Sequence, residues 1–308
     1  MKKSVFIDGE HGTTGLQIAD RLANRSDINL LSLAMEDRRD QSKRQEMLRD
    51  ADIAILCLPD DAARESVSMA QGANTRFIDA STAHRTADGW IYGFAECELG
   101  QKEKIISAQN VSNPGCYPTG AIALLRPLIL AGLMPADYPV TINAVSGYSG
   151  GGKQLIAQME DASRDDAIDA PYFEYALGLQ HKHVPEIKVR SGLAHDPVFT
   201  PNVGRFAQGM LVNVPLHSAT LKNADRASVH SVLAEHYSGQ DIVKLVPLDD
   251  TDAAPRIDPT EMAGTDEMRL YVCGRADNSQ LNLVASLDNL GKGASGAAVQ
   301  NLDLMLHE

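Results

Sequence analysis

The amino-acid sequence predicts an α/β protein, in which a Rossmann-like, doubly wound nucleotide-binding domain is followed by an α+β domain with a largely antiparallel sheet. Three observations carry this prediction. Short apolar runs alternate with helix-patterned segments through the N-terminal third, and a glycine-rich turn follows the first of them. From about Tyr138 the texture shifts to longer, near-alternating apolar runs.

KSVFID, closing on Asp8, reads as the first strand, GEHGTTG as a turn, and Leu16, Ile18, Ala19 and Leu22 as the apolar face of a helix. INLLSL (28–33), DIAILCL (52–58) and RFIDAS (76–81) read as further strands, with KRQEMLRDA and DDAARESVSMA as helices between them. Such alternation implies a parallel sheet. Beyond Tyr138, the segments PVTINAVSGYSGGG, FTPNVGRFAQGMLVNVPL, MRLYVCGR and QLNLVASL read as longer strands, several of them near-alternating and expected to pair antiparallel. DNLGKGASGAAVQNLDLMLH reads as a closing helix rich in small residues, with Val299, Leu302 and Leu304 to Leu306 free to be buried. No internal repeat or low-complexity tract interrupts the chain.

At 308 residues, 44% hydrophobic and 22% charged, the composition is that of soluble globular material long enough for two cores. The formal net charge of -13 excludes a nucleic-acid footprint and disfavours anionic membrane surfaces, so an anionic ligand must be held by local donors. MKKSVFIDG is too short in apolar residues for a signal peptide, and no apolar run matches a membrane span, so a cytoplasmic protein is expected. The cysteines at 57, 97, 116 and 273 show no CxxC pairing, which argues against both a disulfide framework and a structural zinc site.

Gly9, Gly12 and Gly15 lie where a backbone must turn tightly beside a pyrophosphate, whose charge is met by N–H groups at the head of the next helix. Thr13 and Thr14 add hydroxyl donors. The spacing is GxxGxxG instead of the GxGxxG of the usual fingerprint, but the strand-turn-helix context is the required one. After the second strand, Ser32, Arg38 and Arg39 suit a 2′-phosphate, whereas Glu36 and Asp37 suit a free ribose hydroxyl. The expected cofactor is NADP(H).

SNPGCYPTG (112–120) sets Cys116 among prolines and glycine, unlike Cys57 in the apolar run AILCLP. A helix starting near Tyr117 would put the thiol at a helix N-terminus, where the dipole favours thiolate, a nucleophile for acyl groups. HKHVPEI offers His181 and His183 as general bases and Glu186 to orient one of them; spacing alone leaves the choice of histidine open. No third ligand accompanies the His-x-His, so no metal is expected. SGYSGGGK resembles an anion cradle built from Ser146, Ser149, Gly150 to Gly152 and Lys153, and NLGKGASG adds Lys292 with more backbone donors. A cysteine hydrolase or amidotransferase would leave the dinucleotide loop without a purpose. A non-catalytic, NADP-binding redox sensor would leave the two further loops and the histidine pair unexplained.

Together these motifs resemble the N-acetyl-gamma-glutamyl-phosphate reductases, relatives of the aspartate-semialdehyde dehydrogenases. The likeness runs through FIDGEHGTTGLQI, AILCLPDDAARE, DASTAHR, VSNPGCYPTGA, SGYSGGGK, HKHVPEI, FTPNVGRFAQG and LGKGASGAAVQN. The short chain and its first motif are similar to the shorter of the family's two types. The resemblance implies NADPH-dependent reductive dephosphorylation of N-acetyl-L-glutamyl 5-phosphate to N-acetyl-L-glutamate 5-semialdehyde in arginine biosynthesis. A related acyl-phosphate reductase with another acyl group is the alternative. It further implies that Cys116 forms a thioester, and that His183, with Glu186 behind it, moves the proton of the thiohemiacetal. Asn113, Ser146, Ser149 and Gly150 are implied for substrate and phosphate, Ser81 for the border of the cofactor, and Asn289 and Lys292 for closure over the nicotinamide. Where many relatives carry an arginine before the last glycine of FTPNVGRFAQG this chain has Gln208, with Arg205 three residues earlier as a candidate for the substrate, so the arginine that meets the substrate carboxylate is left open. The domains implied are an NADP-binding domain over 1–116, completed by a C-terminal helix over 291–308, and a catalytic and oligomerisation domain over 117–290. The expected partners are a small acyl phosphate, phosphate and further copies of the chain as a dimer or tetramer.

Overall fold

The computed structural model describes residues 2–222 and 224–307; Met1 and Glu308, the outermost residues of the expected domains, lie outside the described residues. The chain divides into two compact units: Met1–Ala95, Gly100–Gly115 and Ala294–Glu308 form unit 1, and Glu96–Leu99 with Cys116–Gly293 form unit 2. No helix among the described residues is long and apolar enough to cross a membrane.

Unit 1 runs β1 (Lys3–Asp8), α1 (Thr13–Leu22), β2 (Ile28–Leu31), α2 (Gln41–Asp50), β3 (Ile53–Leu56), α3 (Asp60–Met69), β4 (Arg76–Asp79), β5 (Ile91–Tyr92), α4 (Gln101–Ile106) and β6 (Asn110–Ser112). Its strands order as β2-β1-β3-β4-β6-β5, every neighbouring pair parallel. Because successive side chains of a strand point to opposite faces, this sheet builds two cores. Val5, Ile7, Ile53, Ile55 and Ile78 pack with Ile18 and Leu22 of α1. The intervening Phe6, Ala54, Leu56 and Phe77 pack with Leu48 of α2 and Ala63 of α3. The doubly wound architecture thus follows from continuous apolar runs rather than from alternation. The last helix of the chain, which belongs to this unit, starts later than the sequence pattern suggests: a π-type turn occupies Gly291–Ser295 and the α-helix spans Gly296–Leu306.

Unit 2 carries α5 (Cys116–Leu130), β7 (Thr141–Gly147), α6 (Gly152–Glu160), β8 (Tyr172–Glu174), α7 (Val184–Ser191), β9 (Val198–Gly204) and β10 (Met210–His217). It continues with α8 (Arg226–His236), β11 (Val243–Leu245), α9 (Leu248–Ala253), β12 (Met268–Gly274) and β13 (Gln280–Leu287). Its sheet orders as β11-β12-β13-β10-β7-β9-β8. Pairing is antiparallel except at β7 with β9 and β11 with β12. The segments at 139 and 199, expected to pair antiparallel, therefore lie parallel, because α6, β8 and α7 intervene and supply the crossover that a parallel pair needs.

Helix α5 is apolar almost all round and lies on this sheet so closely that a Cβ at Gly120 would meet Val212 Cγ2 at 2.8 Å. Pro118 is tolerated in its first turn, where N–H groups have no intrahelical acceptor. Pro127, deeper in the helix, removes the donor that would bond the Ala123 carbonyl, and the buried Tyr237 hydroxyl donates to that oxygen instead at 2.8 Å.

Candidate active site

In unit 1 the glycine turn sits at the carboxyl edge of the parallel sheet where the strand order reverses, with β2 on one side of β1 and β3 on the other. Open α/β sheets bind ligands at such a crevice. Gly9 turns at φ +91°, and a Cβ there would stand 2.4 Å from the Cys57 carbonyl oxygen; a Cβ on Gly15 would stand 2.3 Å from the Gly9 oxygen. The turn closes with Gly12 N–H donating to the Gly9 carbonyl at 3.0 Å. A cavity of about 460 Å³ opens beside it, lined by Gly9, Gly12, Leu33, Arg38 and Arg39 among others. The Thr13 hydroxyl, at the head of α1, is buried without a protein hydrogen-bond partner, and Thr14 follows it. A glycine cradle, an orphaned hydroxyl at a helix N-terminus and two guanidinium groups on the rim fit a phosphorylated dinucleotide.

The second-strand residues divide. Arg38 and Arg39 line the cavity; Ser32 donates to Glu10 Oε2 at 2.7 Å; Asp37 is paired with Lys43 at 2.6 Å. Under the turn lies a group that sequence reading passed over. Arg44 of α2 donates to Asp8 Oδ1 and Oδ2 at 3.2 and 3.0 Å and to Ser66 Oγ at 2.8 Å, and Ser66 Oγ donates to Asp8 Oδ2 at 2.7 Å. Arg44 falls four residues before Leu48 and thus on the same buried helix face, which is the sequence cue.

At the ends of β4 and β6, Ser81 is buried, its N–H and Oγ donating to the Asp79 carboxylate at 2.9 and 2.8 Å. His84 Nδ1 lies 2.6 Å from the same carboxylate, and its ring stacks on Trp90 with centroids 3.9 Å apart. Asn113 is fixed from four sides. Its N–H donates to Asp79 O at 2.7 Å, its carbonyl accepts from Arg85 Nε at 3.0 Å, its Nδ2 donates to Ala294 O at 3.0 Å, and its Oδ1 accepts from Asn301 Nδ2 at 3.0 Å.

In unit 2, Cys116 is the first residue of α5 and is half-buried. Burial pushes the thiols of Cys57 and Cys97 up to about 12 and raises that of Cys273 as well, so those three stay protonated at neutral pH. Next to Cys116, Tyr117 is buried with its hydroxyl donating to Asn202 O at 2.9 Å. Burial holds the Tyr117 phenol well above its ordinary pKa, with the charges of Tyr175 and Cys116 adding to the effect. Tyr175, pushed up to about 12 chiefly by burial, also feels Cys116.

The two histidines stand with ring centroids 4.6 Å apart, and each meets Tyr117 edge-on. His181 Nδ1 accepts the backbone N–H of His183 at 3.0 Å, while its Nε2 lies 3.3 Å from the Tyr175 hydroxyl. His183 is buried at the N-cap position of α7, and Glu186 is buried in the first turn of that helix. Tyr117, Tyr175 and the two histidines thus form one cluster, and Cys116 precedes Tyr117 at the head of α5. Tyr175 gave no sequence signal beyond its aromatic type.

Ser146 lies near the end of β7, Ser149 and Gly150 follow it, and both serines are buried. The backbone at 147–149 is zipped to the 206–209 segment through Gly147 N–H to Gly209 O, Tyr148 N–H to Phe206 O and Ser149 N–H to Ala207 O. Asn289 ties this loop to the turn after β13: Nδ2 donates to Ser149 Oγ at 2.9 Å and Oδ1 accepts the Gly209 N–H at 2.9 Å. Lys292, expected at the cofactor, is buried and paired with Glu96 Oε2 at 2.6 Å. Arg205, a candidate for the substrate, donates to the carbonyls of Met159 and Ile168, because it leaves the end of β9 toward the 159–171 loop.

Two family models match the chain: residues 4–105 match "Semialdehyde dehydrogenase, NAD binding domain" and residues 116–289 match "Semialdehyde dehydrogenase, dimerisation domain". The chain belongs to the semialdehyde dehydrogenase family. Among its relatives are the N-acetyl-gamma-glutamyl-phosphate reductases of Brucella ovis and Brucella canis, each 60% identical over 308 residues, covering 99% of this chain and 99% of the relative. Aspartate semialdehyde dehydrogenase II of Vibrio cholerae, solved in complex with ASA, shares the fold with a TM-score of 0.72 at 16% identity, covering 100% of this chain and 99% of that one. The aspartate semialdehyde dehydrogenase of Candida albicans, solved with NADP, matches with a TM-score of 0.66 at 12% identity, covering 99% of each chain.

Proposed function

We propose that this protein catalyses the NADPH-dependent reductive dephosphorylation of N-acetyl-L-glutamyl 5-phosphate to N-acetyl-L-glutamate 5-semialdehyde, a step of arginine biosynthesis. The observation that carries the proposal is the 60% identity to N-acetyl-gamma-glutamyl-phosphate reductases across 99% of both chains. The position of Cys116 at the head of a 15-residue helix supports it, since the dipole of α5 favours a thiolate there.

The Cys116 thiolate attacks the acyl carbon, a thioester forms, and the C–O bond to phosphate breaks with its electron pair leaving on phosphate. NADPH, when bound, would supply the hydride and a protonated histidine the proton that together convert the thioester to a thiohemiacetal. Collapse of that species to aldehyde returns the electron pair of the C–S bond to sulfur, and its hydroxyl proton must be taken up by a base. We assign that base to His183. The assignment is supported by His181 Nδ1 already accepting the His183 N–H, since protonating that nitrogen would break the bond. His181 then orients the segment, with Tyr175 at its other nitrogen, and Glu186 orients His183 from the next helical turn.

Gly9, Gly12, Gly15, Thr13 and Thr14 hold the cofactor's pyrophosphate in this reading, with Arg38 and Arg39 meeting a 2′-phosphate and Ser81 bordering the site. Asn113, Ser146, Ser149 and Gly150 serve the substrate and its phosphate. The second unit's match to a dimerisation domain supports a homo-oligomer, and the biosynthetic role fits a cytoplasmic location.

The test is run in reverse, as phosphate-dependent reduction of NADP⁺ by N-acetylglutamate semialdehyde, on wild type and Cys116→Ser. Reduced nicotinamide is expected only with phosphate present and only with wild type. Binding of NADP(H) without turnover by wild type would overturn the substrate assignment, and turnover by the variant would overturn the nucleophile.

A further inference from the structure

The proposed chemistry gives no part to one buried ion pair of unit 2. Lys292 Nζ and Glu96 Oε2 stand 2.6 Å apart, with only 2% of either side chain exposed. Withdrawing two charges from water is costly, and apolar residues of similar volume often do as well for stability. Stability is thus a weak reason for the pair, and what it is attached to is informative.

Lys292 lies in the turn that follows β13. Asp288 Oδ1 accepts the Leu290 N–H and its Oδ2 the Gly264 N–H, at 2.9 and 2.6 Å, and Gly293 N–H reaches back to the Asp288 carbonyl at 2.9 Å, a π-type bond. Asn289 of the same turn holds Ser149 and Gly209. Gly293 is packed against the cysteine: a Cβ there would stand 2.9 Å from Cys116 Cβ. π-type turns cluster at functional sites, and this one touches the thiol-bearing residue and the serine loop together.

Glu96 opens the four-residue segment Glu96–Leu99. Its carbonyl meets His236 Nε2 of α8 at 3.2 Å, and Glu98 pairs with Arg126 of α5, the helix that begins with Cys116. The anchors close a ring: α5 holds the 96–99 segment, Glu96 holds Lys292, and the turn of Lys292 packs on Cys116.

We infer that Glu96 and Lys292 are positioning residues for the Cys116 thiol. Their ion pair fixes the 288–293 turn so that Gly293 stays against the cysteine and Asn289 on Ser149. The inference rests on the reading of Cys116 as nucleophile.

The test compares wild type, Glu96→Asp and the double variant Glu96→Leu/Lys292→Met as full-length proteins. Three quantities are read: the thermal midpoint, kcat and KM in the phosphate-dependent reverse reaction, and the pH profile of Cys116 alkylation by iodoacetamide, followed by mass spectrometry. The double variant is expected to keep its thermal midpoint and its KM for NADP⁺ while kcat falls by about tenfold or more and the alkylation profile shifts. A folded double variant with wild-type kcat and a wild-type alkylation profile overturns the inference. Should it fail to fold, Glu96→Asp decides, since it keeps both charges but shortens the reach by one methylene: an unchanged thiol profile in that variant is equally fatal. If wild type reduces no NADP⁺ with the semialdehyde while the variants still shift the alkylation profile, the positioning role stands and the substrate assignment falls.

Discussion

Replacing Gly9 by alanine separates two reasons for a glycine at the nucleotide turn. The residue stands at φ +91°, where an L side chain is strained by about 1–2 kcal/mol. Its Cβ would also lie 2.4 Å from the Cys57 carbonyl oxygen, an approach that ordinary van der Waals contact, starting near 3.4 Å, requires to open by about 1 Å. Cys57 and Gly9 both line the cavity, so the opening deforms the cradle itself. Gly72 provides the control, because it stands at φ +84° with nothing within 4 Å of a Cβ. Both Gly9→Ala and Gly72→Ala should lower the thermal midpoint, at about 2–4 °C per kcal/mol. In a titration of NADPH fluorescence, only Gly9→Ala should lose affinity, by about tenfold or more, equivalent to about 1.4 kcal/mol. Wild-type NADPH affinity in Gly9→Ala, or an equal loss in Gly72→Ala, would refute the argument that close backbone approach shapes this site.

Cysteine labelling at neutral pH should modify Cys116 and spare Cys57 and Cys97, whose thiols burial pushes up to about 12; peptide mapping after iodoacetamide treatment checks this. Tyr237→Phe should cost about 1–3 kcal/mol in denaturant unfolding, because the Ala123 carbonyl inside α5 then loses the donor that stands in for the one Pro127 lacks. The protein should also lose stability at alkaline pH. Tyr117, Tyr175 and Tyr237 have phenols raised by burial, so their contribution is complete below the unfolded value of about 10 and is lost as pH climbs through the raised folded values. Unfolding followed at a series of pH values should show that decline, and a flat profile from pH 9 to pH 12 would contradict it. Asp225→Ala should lower the thermal midpoint, since its carboxylate caps α8 through the Ser228 N–H at 2.8 Å. That carboxyl is held below its ordinary pKa by the same bonds, so the cap is intact above the unfolded value and fails as pH falls through the folded one.

The alternation of apolar runs with helices was enough to read the parallel sheet, because a strand buried on both faces must be continuously apolar and leaves an unmistakable run such as IAIL. The partners of β7 and β9 were not legible in the same way. Strand direction depends on how the intervening chain crosses, and a segment such as PVTINAV carries no mark of that. Cys116, the glycine turn and the histidine pair stood out because their chemistry requires rare local patterns. The pairing of Glu96 with Lys292 did not, because an ion pair formed across 196 positions leaves no spacing to recognise, even though Lys292 itself stands in a legible glycine turn.

The same contrast bears on the histidines. Spacing leaves two candidates one residue apart, the family resemblance favours His183, and the bond at His181 Nδ1 distinguishes the two rings. An imidazole nitrogen that accepts a backbone N–H cannot also carry a proton, so while the His183 N–H bond stands, the proton of the His181 ring belongs on Nε2, facing Tyr175. His183, whose backbone makes that bond, keeps its own ring for other work. Replacing His181 by asparagine, which retains an acceptor, should therefore cost far less turnover than the same change at His183. In the pH profile of kcat, the ionisation of the general base should vanish only in His183→Asn. Loss of that ionisation in His181→Asn instead would reverse the two roles and assign the proton to the ring beside Tyr175.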